Sequence, residues 1–387
     1  MSVCIVGWSH TPFGRLDLDF EQLVTTATSD AISHAGIDAA AIDGVWLGHL
    51  NGGLIPEIFC SSLPSQGNPG LRWKPATRVE NACASGAAAI ASACDAIEAG
   101  RARIALVVGA EKMTAVSGQM VTDILARASY YRDEGAHGLT FPGIFAKLVD
   151  AYGRQYGDPS DAMARIAAKN HANGTRNPYA HMRKDVGFDF CNTVSAANPL
   201  IHPGLRKTDC SLVSDGAAAL ILVDAALAKD FDRAIAFRAR AHVNDLLPIA
   251  KRNILGFEGP RRAWTQALSA ARCSVRDLSF AEIHDCFTIA ELLTYEAMGL
   301  TEPGRGSRAL LDGTVYPDGA LPINASGGLK AKGHPIGATG VSMHVLAAMQ
   351  LTGSAGEMQI TGANLGAVFN MGGMAVANYV NILEHVQ

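Results

Sequence analysis

The chain has 387 residues, a length at which two large cores or an internally duplicated architecture are expected. Hydrophobic residues make up 48% and charged residues 18%, and the 40 glycines follow no collagen-like or low-complexity period, so the composition is globular. A formal charge of -4 supplies no basic field for phosphate-backbone binding; nucleic acid is excluded as an expected partner and any anion site must be local.

In chain order, a strand at Val3 to Gly7 passes at once into polar turn residues, unlike a secretory leader. No apolar run reaches the ~18 residues of a membrane span, so a cytoplasmic protein away from membranes is expected. A helix follows over Phe20 to Ala35, then strands at Val45 to Leu47 and Ala76 to Glu80, an alanine-rich helix over Ala84 to Ala99, and a strand at Ile104 to Gly109. From about Met113 to Pro203 the chain is richer in Tyr, Arg, His and Gly and reads as an insertion of helices without regular strands. Its clearest helix starts at Asp158-Pro159-Ser160, which supplies N-cap and N1 chemistry, and ends at Asn173-Gly174, which suits a left-handed cap. Such a helix is placed to help cover an active-site mouth.

The strand–helix rhythm then returns: a strand over Arg233 to Val243, a helix over Arg261 to Arg272, a buried strand at Phe280 to Ile283, helices over Thr288 to Met298 and Gly340 to Met349, and a last strand over Met374 to Leu383. Asn81-Ala82-Cys83-Ala84-Ser85-Gly86 has a counterpart in Asn324-Ala325-Ser326-Gly327-Gly328, each ahead of a small-residue helix. The reading is therefore α/β in two similar halves, 1–232 and 233–387, with a reactive centre at their junction. The terminal Glu384-His385-Val386-Gln387 does not match the peroxisomal tripeptide.

Eight cysteines are dispersed, with no Cys-x-x-Cys and no paired metal-ligand spacing, so free thiols and no metal are expected. Cys83 sits between a strand and a helix N-terminus. It reads either as a small buried hydrophobe or as a nucleophile whose thiol pKa the helix end lowers. His334, in the glycine-dense Gly327 to Gly340 block and followed by Pro335, is either a turn histidine or a held imidazole that deprotonates a thiol and then faces an oxyanion. His284 and Cys286 follow an apolar strand and would share a face if it continued, with Asp285 turned away; each is also compatible with a satisfied core residue. Gly372, in Asn370-Met371-Gly372-Gly373, joins two apolar strands as an ordinary turn or as an N–H oxyanion donor.

Taken together, the Cys83 segment, His284-Asp285-Cys286-Phe287 and the Gly333-His334-Pro335-Ile336-Gly337-Ala338-Thr339-Gly340 block resemble the thiolase superfamily over essentially the whole chain. Asp209 to Ala219 resembles the strand that ends the family's N-terminal half. Most thiolases carry Asn-Glu-Ala-Phe where this chain has His284 to Phe287, and Cys-x-Gly where it has Asn370-Met371-Gly372. Both departures, and Thr140-Phe141-Pro142-Gly143 with the helices after it, resemble the sterol-carrier-protein-type branch. The resemblance implies a thiolase fold: two βαβαβ-type halves in a layered α/β/α/β/α core with a helical loop insertion, and no appended lipid-carrier domain. It implies acyl transfer by Cys83, activation by His334, His284 in the first oxyanion hole, Cys286 as the α-proton acid/base, and the backbone N–H groups of Cys83 and Gly372 in a second hole. The reaction is Claisen condensation or thiolytic cleavage of 3-ketoacyl-CoA, with CoA and acyl-CoA as substrates and no tightly bound cofactor. A homodimer or homotetramer and a small zinc-ribbon/OB-fold partner protein are further implications.

CoA needs an anchor for its phosphates, and Arg183, Lys184, Arg206, Lys207, Lys330 and Lys332 are candidates by charge alone. Two other readings compete. A ketoacyl-synthase-like enzyme would use Cys83, His284 and His334 and leave Cys286 idle, and would accept malonyl-CoA in place of acetyl-CoA. A non-catalytic acyl-CoA-binding subunit would have no use for the four side chains together, and would copurify with its complex.

Overall fold

The computed structural model describes residues 2–386; Gln387, the last residue of the C-terminal tail, lies outside the described residues. The first part of the chain runs β1 (Val3–His10), α1 (Phe20–Ala35), β2 (Gly44–Gly48), α2 (Pro64–Gly67), β3 (Ala76–Val79), α3 (Ser85–Glu98) and β4 (Ile104–Glu111). Helices α4 (Gly118–Ala126), α5 (Phe141–Tyr156), α6 (Ser160–Gly174) and α7 (Gly187–Asn192) follow, then a small hairpin of β5 (Leu200–His202) and β6 (Leu205–Arg206). The remainder is β7 (Gly216–Asp224), β8 (Ile235–Asn244), α8 (Glu258–Ala271), β9 (Phe280–Ile283), α9 (Thr288–Ala297), α10 (Ser307–Leu311), α11 (Gly328–Lys332), α12 (Ile336–Leu351), β10 (Leu365–Gly372) and β11 (Ala377–His385).

Local chemistry explains the boundaries. Asp19 and Gln22 form a reciprocal capping box at the start of α1, and Gly36 ends it in the left-handed region at φ 66°. Strands β1, β7 and β10 are apolar on both faces because helices cover both. The strand order is β3-β2-β4-β7-β1-β8-β11-β10-β9. Strands β3, β2 and β4 are mutually parallel, β7 pairs antiparallel with β4, and β1 pairs antiparallel with β7. The second set repeats that pattern: Ile323 bridges β9 in parallel, β9 pairs β10 in parallel, and β11 and β8 follow antiparallel. Among the described residues two pairs, Cys4 with Ala236 and Ile5 with Ile235, join the sets through β1 and β8.

Helix α1 lays Leu23, Val24 and Ala27 on the face of the first set that shows Val6, Leu106, Val108 and Ile221. Helices α3 and α12 pack on its other face and on each other, and α12 also reaches β10 and β11 of the second set. Helix α8 closes the far side, with Trp264 against Phe369 at 6.1 Å between ring centroids. The result is α/β/α/β/α layering in which small residues let the central helices nearly touch. A Cβ on Gly340 would lie 2.3 Å from the Ala87 nitrogen, and one on Gly86 2.8 Å from the Gly337 carbonyl oxygen.

The expected stretch of helices without strands ends slightly early, because Leu200–His202 already pairs with β6. Helix α6 departs from its expected end: Thr175 caps it in a right-handed conformation, and Gly174 is helical, with a would-be Cβ 2.7 Å from the Ala331 methyl. That glycine is required by close packing and not by capping. All eight cysteines are free thiols. No described helix is long and apolar enough to cross a membrane.

Candidate active site

Between β3 and α3 the chain makes a tight turn at Asn81-Ala82, with Ala82 at φ 49°. Ser85 fixes it, its hydroxyl accepting from the Asn81 N–H at 2.9 Å and donating to the Ala82 carbonyl at 2.7 Å. The turn delivers Cys83 to the junction of the central helices, buried to 3% exposure. Its sulfur faces the backbone N–H groups of Gly373 and of Cys83 itself. The expected lowering of its pKa does not occur. Burial pushes the thiol up to about 12 and the two N–H groups offset only part of that, so the resting residue is an uncharged thiol.

His334 arrives from the second set. Gly333 at φ 110° turns the chain out of α11, and Pro335 leads into α12. The Thr339 hydroxyl donates to the Pro335 carbonyl at 2.8 Å, so toward His334 Nδ1, 2.6 Å away, it can only accept. That assigns the proton of His334 to Nδ1 and leaves a lone pair on Nε2, which is buried without a protein partner. His284 has the opposite arrangement. The Asn370 carboxamide nitrogen donates to the Cys83 carbonyl at 3.1 Å and to His284 Nδ1 at 2.9 Å, so His284 carries its proton on Nε2, also buried and unpartnered. The two rings meet edge to face at 5.1 Å. Burial, then the charge of Lys332, holds His334 down to about 3; burial, His334 and Lys332 hold His284 well below its ordinary value. Both imidazoles are neutral at physiological pH.

The Cys83 sulfur and one ring nitrogen of each histidine lie within 4.8 Å of one another, a grouping with metal-ligand composition. Its tautomers do not suit a cation: His284 presents an N–H, leaving one imidazole lone pair and one thiol. The arrangement instead sets a proton acceptor and a proton donor close to a thiol.

Strand β9 ends at Ile283, so no strand alternation extends to Cys286. The separation of faces is produced by hydrogen bonds instead. Asp285 turns away, accepting from the N–H groups of Leu329 at 2.6 Å and Lys330 at 3.2 Å and from Asn170 at 2.8 Å. Cys286 is held by its carbonyl, which accepts from Ser211 N–H at 2.9 Å, and by the stacking of Phe287 on Phe145 at 4.2 Å. Burial, then the charge of Cys83, pushes the Cys286 thiol well up. Helix α6 braces the residues around Asp285: Asn170 also donates to Glu291, and Asn173 to the Asn324 carbonyl.

Gly372 is pressed against the Asn81 carbonyl, where a Cβ would come within 2.4 Å, and the N–H directed at sulfur belongs to the next residue, Gly373. Ala82, Gly372 and Gly373 line a cleft of about 440 Å³ whose walls also carry Arg78 and Arg127. Of the charged candidates for phosphate binding, Arg206 is buried and paired with Asp209 at 2.8 Å, and Lys330 and Lys332 are buried, which removes all three as anchors for an incoming phosphate. Asn370, Thr339 and Gly373 lie inside motifs the sequence singles out but with no role assigned to them there, and Glu111 has no signal in local sequence. The Glu111 carboxylate accepts from the N–H groups of Leu50 at 3.0 Å, Asn51 at 3.2 Å and Gly337 at 2.9 Å, holding the start of α12 beside His334.

Family models for the thiolase N-terminal domain and the thiolase C-terminal domain-like region match residues 3–194 and 241–385. An acetyl-CoA acetyltransferase of Methanothermobacter thermautotrophicus is 37% identical over 99% of both chains. Human sterol carrier protein 2 is 30% identical over 96% of this chain and 70% of its own. A solved structure described as an Ltp2-ChsH2(DUF35) aldolase superposes with a TM-score of 0.86 at 20% identity, covering 99% of this chain and 97% of that one, a likeness of fold. With both family domains present, a full-length relative of this similarity and relatives of sterol-carrier-protein type, the chain belongs to the thiolase family.

Proposed function

We propose that Cys83, His334, His284 and Cys286 carry out the two halves of a thiolase reaction on acyl-CoA in this site. The protein is a thiolase-type acyl-CoA C-acyltransferase. The observation that carries the assignment of roles is the pair of opposed imidazole tautomers around Cys83.

In the first half, His334 Nε2 accepts the Cys83 proton as sulfur attacks the thioester carbonyl. The developing oxyanion takes hydrogen bonds from the N–H of Cys83 and from the backbone at Gly372-Gly373, and departing CoA thiolate recovers the proton from His334. In the second half, the Cys286 proton moves to His334 Nε2, bare again once CoA thiol has left, and the Cys286 thiolate removes an α-proton from the next acyl-CoA. The enolate oxygen faces His284 Nε2–H and the Nε2–H that His334 then carries, and the carbanion attacks the acyl-Cys83 carbonyl, expelling the Cys83 thiolate, which recovers the proton from His334. Thiolysis of a 3-ketoacyl-CoA runs the same steps backward, with neutral Cys286 returning the proton to carbon. The thioester supplies both leaving group and α-acidity, so the scheme requires no tightly bound cofactor.

Acetyl-CoA is the acyl donor best supported, through the acetyl-CoA acetyltransferase relative. The neighbour whose description includes a DUF35 component supports a small zinc-ribbon/OB-fold partner here too, and the open edge of β3 supports a homodimer or homotetramer. A cytoplasmic role in lipid metabolism completes the reading. Incubation with a panel of acyl-CoAs, intact-mass measurement and peptide mapping test the core of it. An acyl adduct on Cys83, absent in Cys83→Ala, is expected; an adduct that persists in Cys83→Ala or maps to Cys94 would overturn the assignment.

A further inference from the structure

We infer that Asn370 is a positioning residue that sets the tautomer of His284 and thereby makes it an oxyanion donor. This inference rests on the proposed roles of Cys83 and His284. Asn370 is wholly buried near the end of β10, and its two amide hydrogens have separate destinations, the Cys83 carbonyl and His284 Nδ1. The Cys83 carbonyl can only accept, so the carboxamide cannot turn over to present its oxygen on that side without losing a bond. With nitrogen fixed toward both partners, His284 Nδ1 must be the acceptor and its proton must reside on Nε2, directed at the space beside Cys83.

The arrangement has a cost that makes it informative. Asn370 Oδ1 is buried without a hydrogen-bond partner, in a place where a Cβ on Gly340 would approach it to 2.6 Å. The orphaned carbonyl is tolerated because the opposite orientation would lose the bond to the Cys83 carbonyl and set two oxygens against each other. What the orientation achieves is a joint hold on the nucleophile's backbone and on the oxyanion donor. The residue contacts no reacting atom itself.

The closing experiment uses the full-length protein with 15N-labelled histidine, the His284 ring signals being identified by their loss in His284→Asn. Wild type is expected to show a protonated Nε2 and a bare Nδ1 at His284. Asn370→Asp places an acceptor against Nδ1 and is expected to move the proton there, with kcat for condensation falling about 10²–10³-fold, the loss seen when one oxyanion donor is removed, and KM for acyl-CoA little changed. Asn370→Ala, for which folding is checked by thermal melting, is expected to leave a mixture of tautomers and an intermediate kcat. A wild-type His284 bearing its proton on Nδ1, or an unmoved tautomer in Asn370→Asp, would overturn the inference. A reversed tautomer with undiminished kcat would equally overturn it. Failure of the reading of Cys83 would show separately, as an acyl adduct surviving Cys83→Ala, and leaves the ring spectrum as it is.

Discussion

At the scale of single residues, the site works with neutral groups. Cys83 is pushed up to about 12 and His334 down to about 3, so neither changes charge between roughly pH 4 and pH 10, and the reactive thiolate is a minor species throughout. Alkylation of Cys83 by iodoacetamide should therefore rise about tenfold per pH unit across the neutral range, where a preformed thiolate–imidazolium pair would give a plateau. A pH-independent rate near neutrality would contradict the neutral pair. The two thiols are also linked. Burial first, and then any negative charge on Cys83, opposes ionisation of Cys286; the acyl thioester on Cys83 cannot carry that charge, so the second opposition is absent when the second half-reaction needs a base. Cys286→Ala should then retain the acyl-Cys83 burst while losing about 10²–10⁴-fold in condensation and in deuterium wash-in at the acetyl methyl of acetyl-CoA. Near-normal exchange would transfer the base role to His284 or another group and favour a condensing-enzyme reading.

At the scale of elements, the site exists because α3 and α12 approach closely enough for residues from both strand sets to share one pocket. Gly340→Ala tests that dependence: its Cβ would meet backbone at Ala87 and Gly86, and neither can yield as a flexible side chain would. Overpacking of this kind typically costs about 1–3 kcal/mol. We expect a lower unfolding midpoint together with slower Cys83 acylation, since the added methyl pushes Cys83 and His334 apart; a variant with wild-type melting and acylation would show that the contact is not limiting. Much at this scale was legible in the sequence. Helix α1 matches its expected span because capping and apolar periodicity agree at both ends. The end of α6 was misread because Asn-Gly is a local cap signal, and the true demand on Gly174 comes from Ala331 in another element. The same limit hid the role of Asn370: the sequence marks it only as a departure from Cys-x-Gly, and its contacts depend on His284 and the Cys83 carbonyl arriving from elsewhere. Helix-end chemistry at Cys83 was visible, but the depth of burial that outweighs it was not.

At the scale of the whole molecule, β3 is the edge of the sheet, and an uncovered edge beside apolar side chains invites pairing. The carbonyls of Pro75 and Val79 accept from Val45 and His49 of the β2 segment, so by alternation the backbone groups of Ala76 and Arg78 point outward, away from β2. Trp73 at 86% exposure stands just before the strand, and Ile58 at 75% and Phe59 at 79% precede the turn Cys60–Ser62 that packs against it. A second copy pairing its own β3 antiparallel across a two-fold axis would satisfy those backbone groups and bury the aromatic side chains, as a self-complementary interface requires. Arg78→Pro removes one outward N–H without touching the bonds to β2, and Phe59→Asp places a charge in the buried rim. Light scattering should report a dimer or tetramer for wild type at micromolar concentration and a smaller species for the double variant. Because Glu80, Asn81 and Ala82 lead straight from this edge to the nucleophile, slower Cys83 acylation should accompany dissociation. A stable wild-type monomer of 40.6 kDa would remove the proposal, and an unchanged oligomer in the double variant would move the interface away from β3.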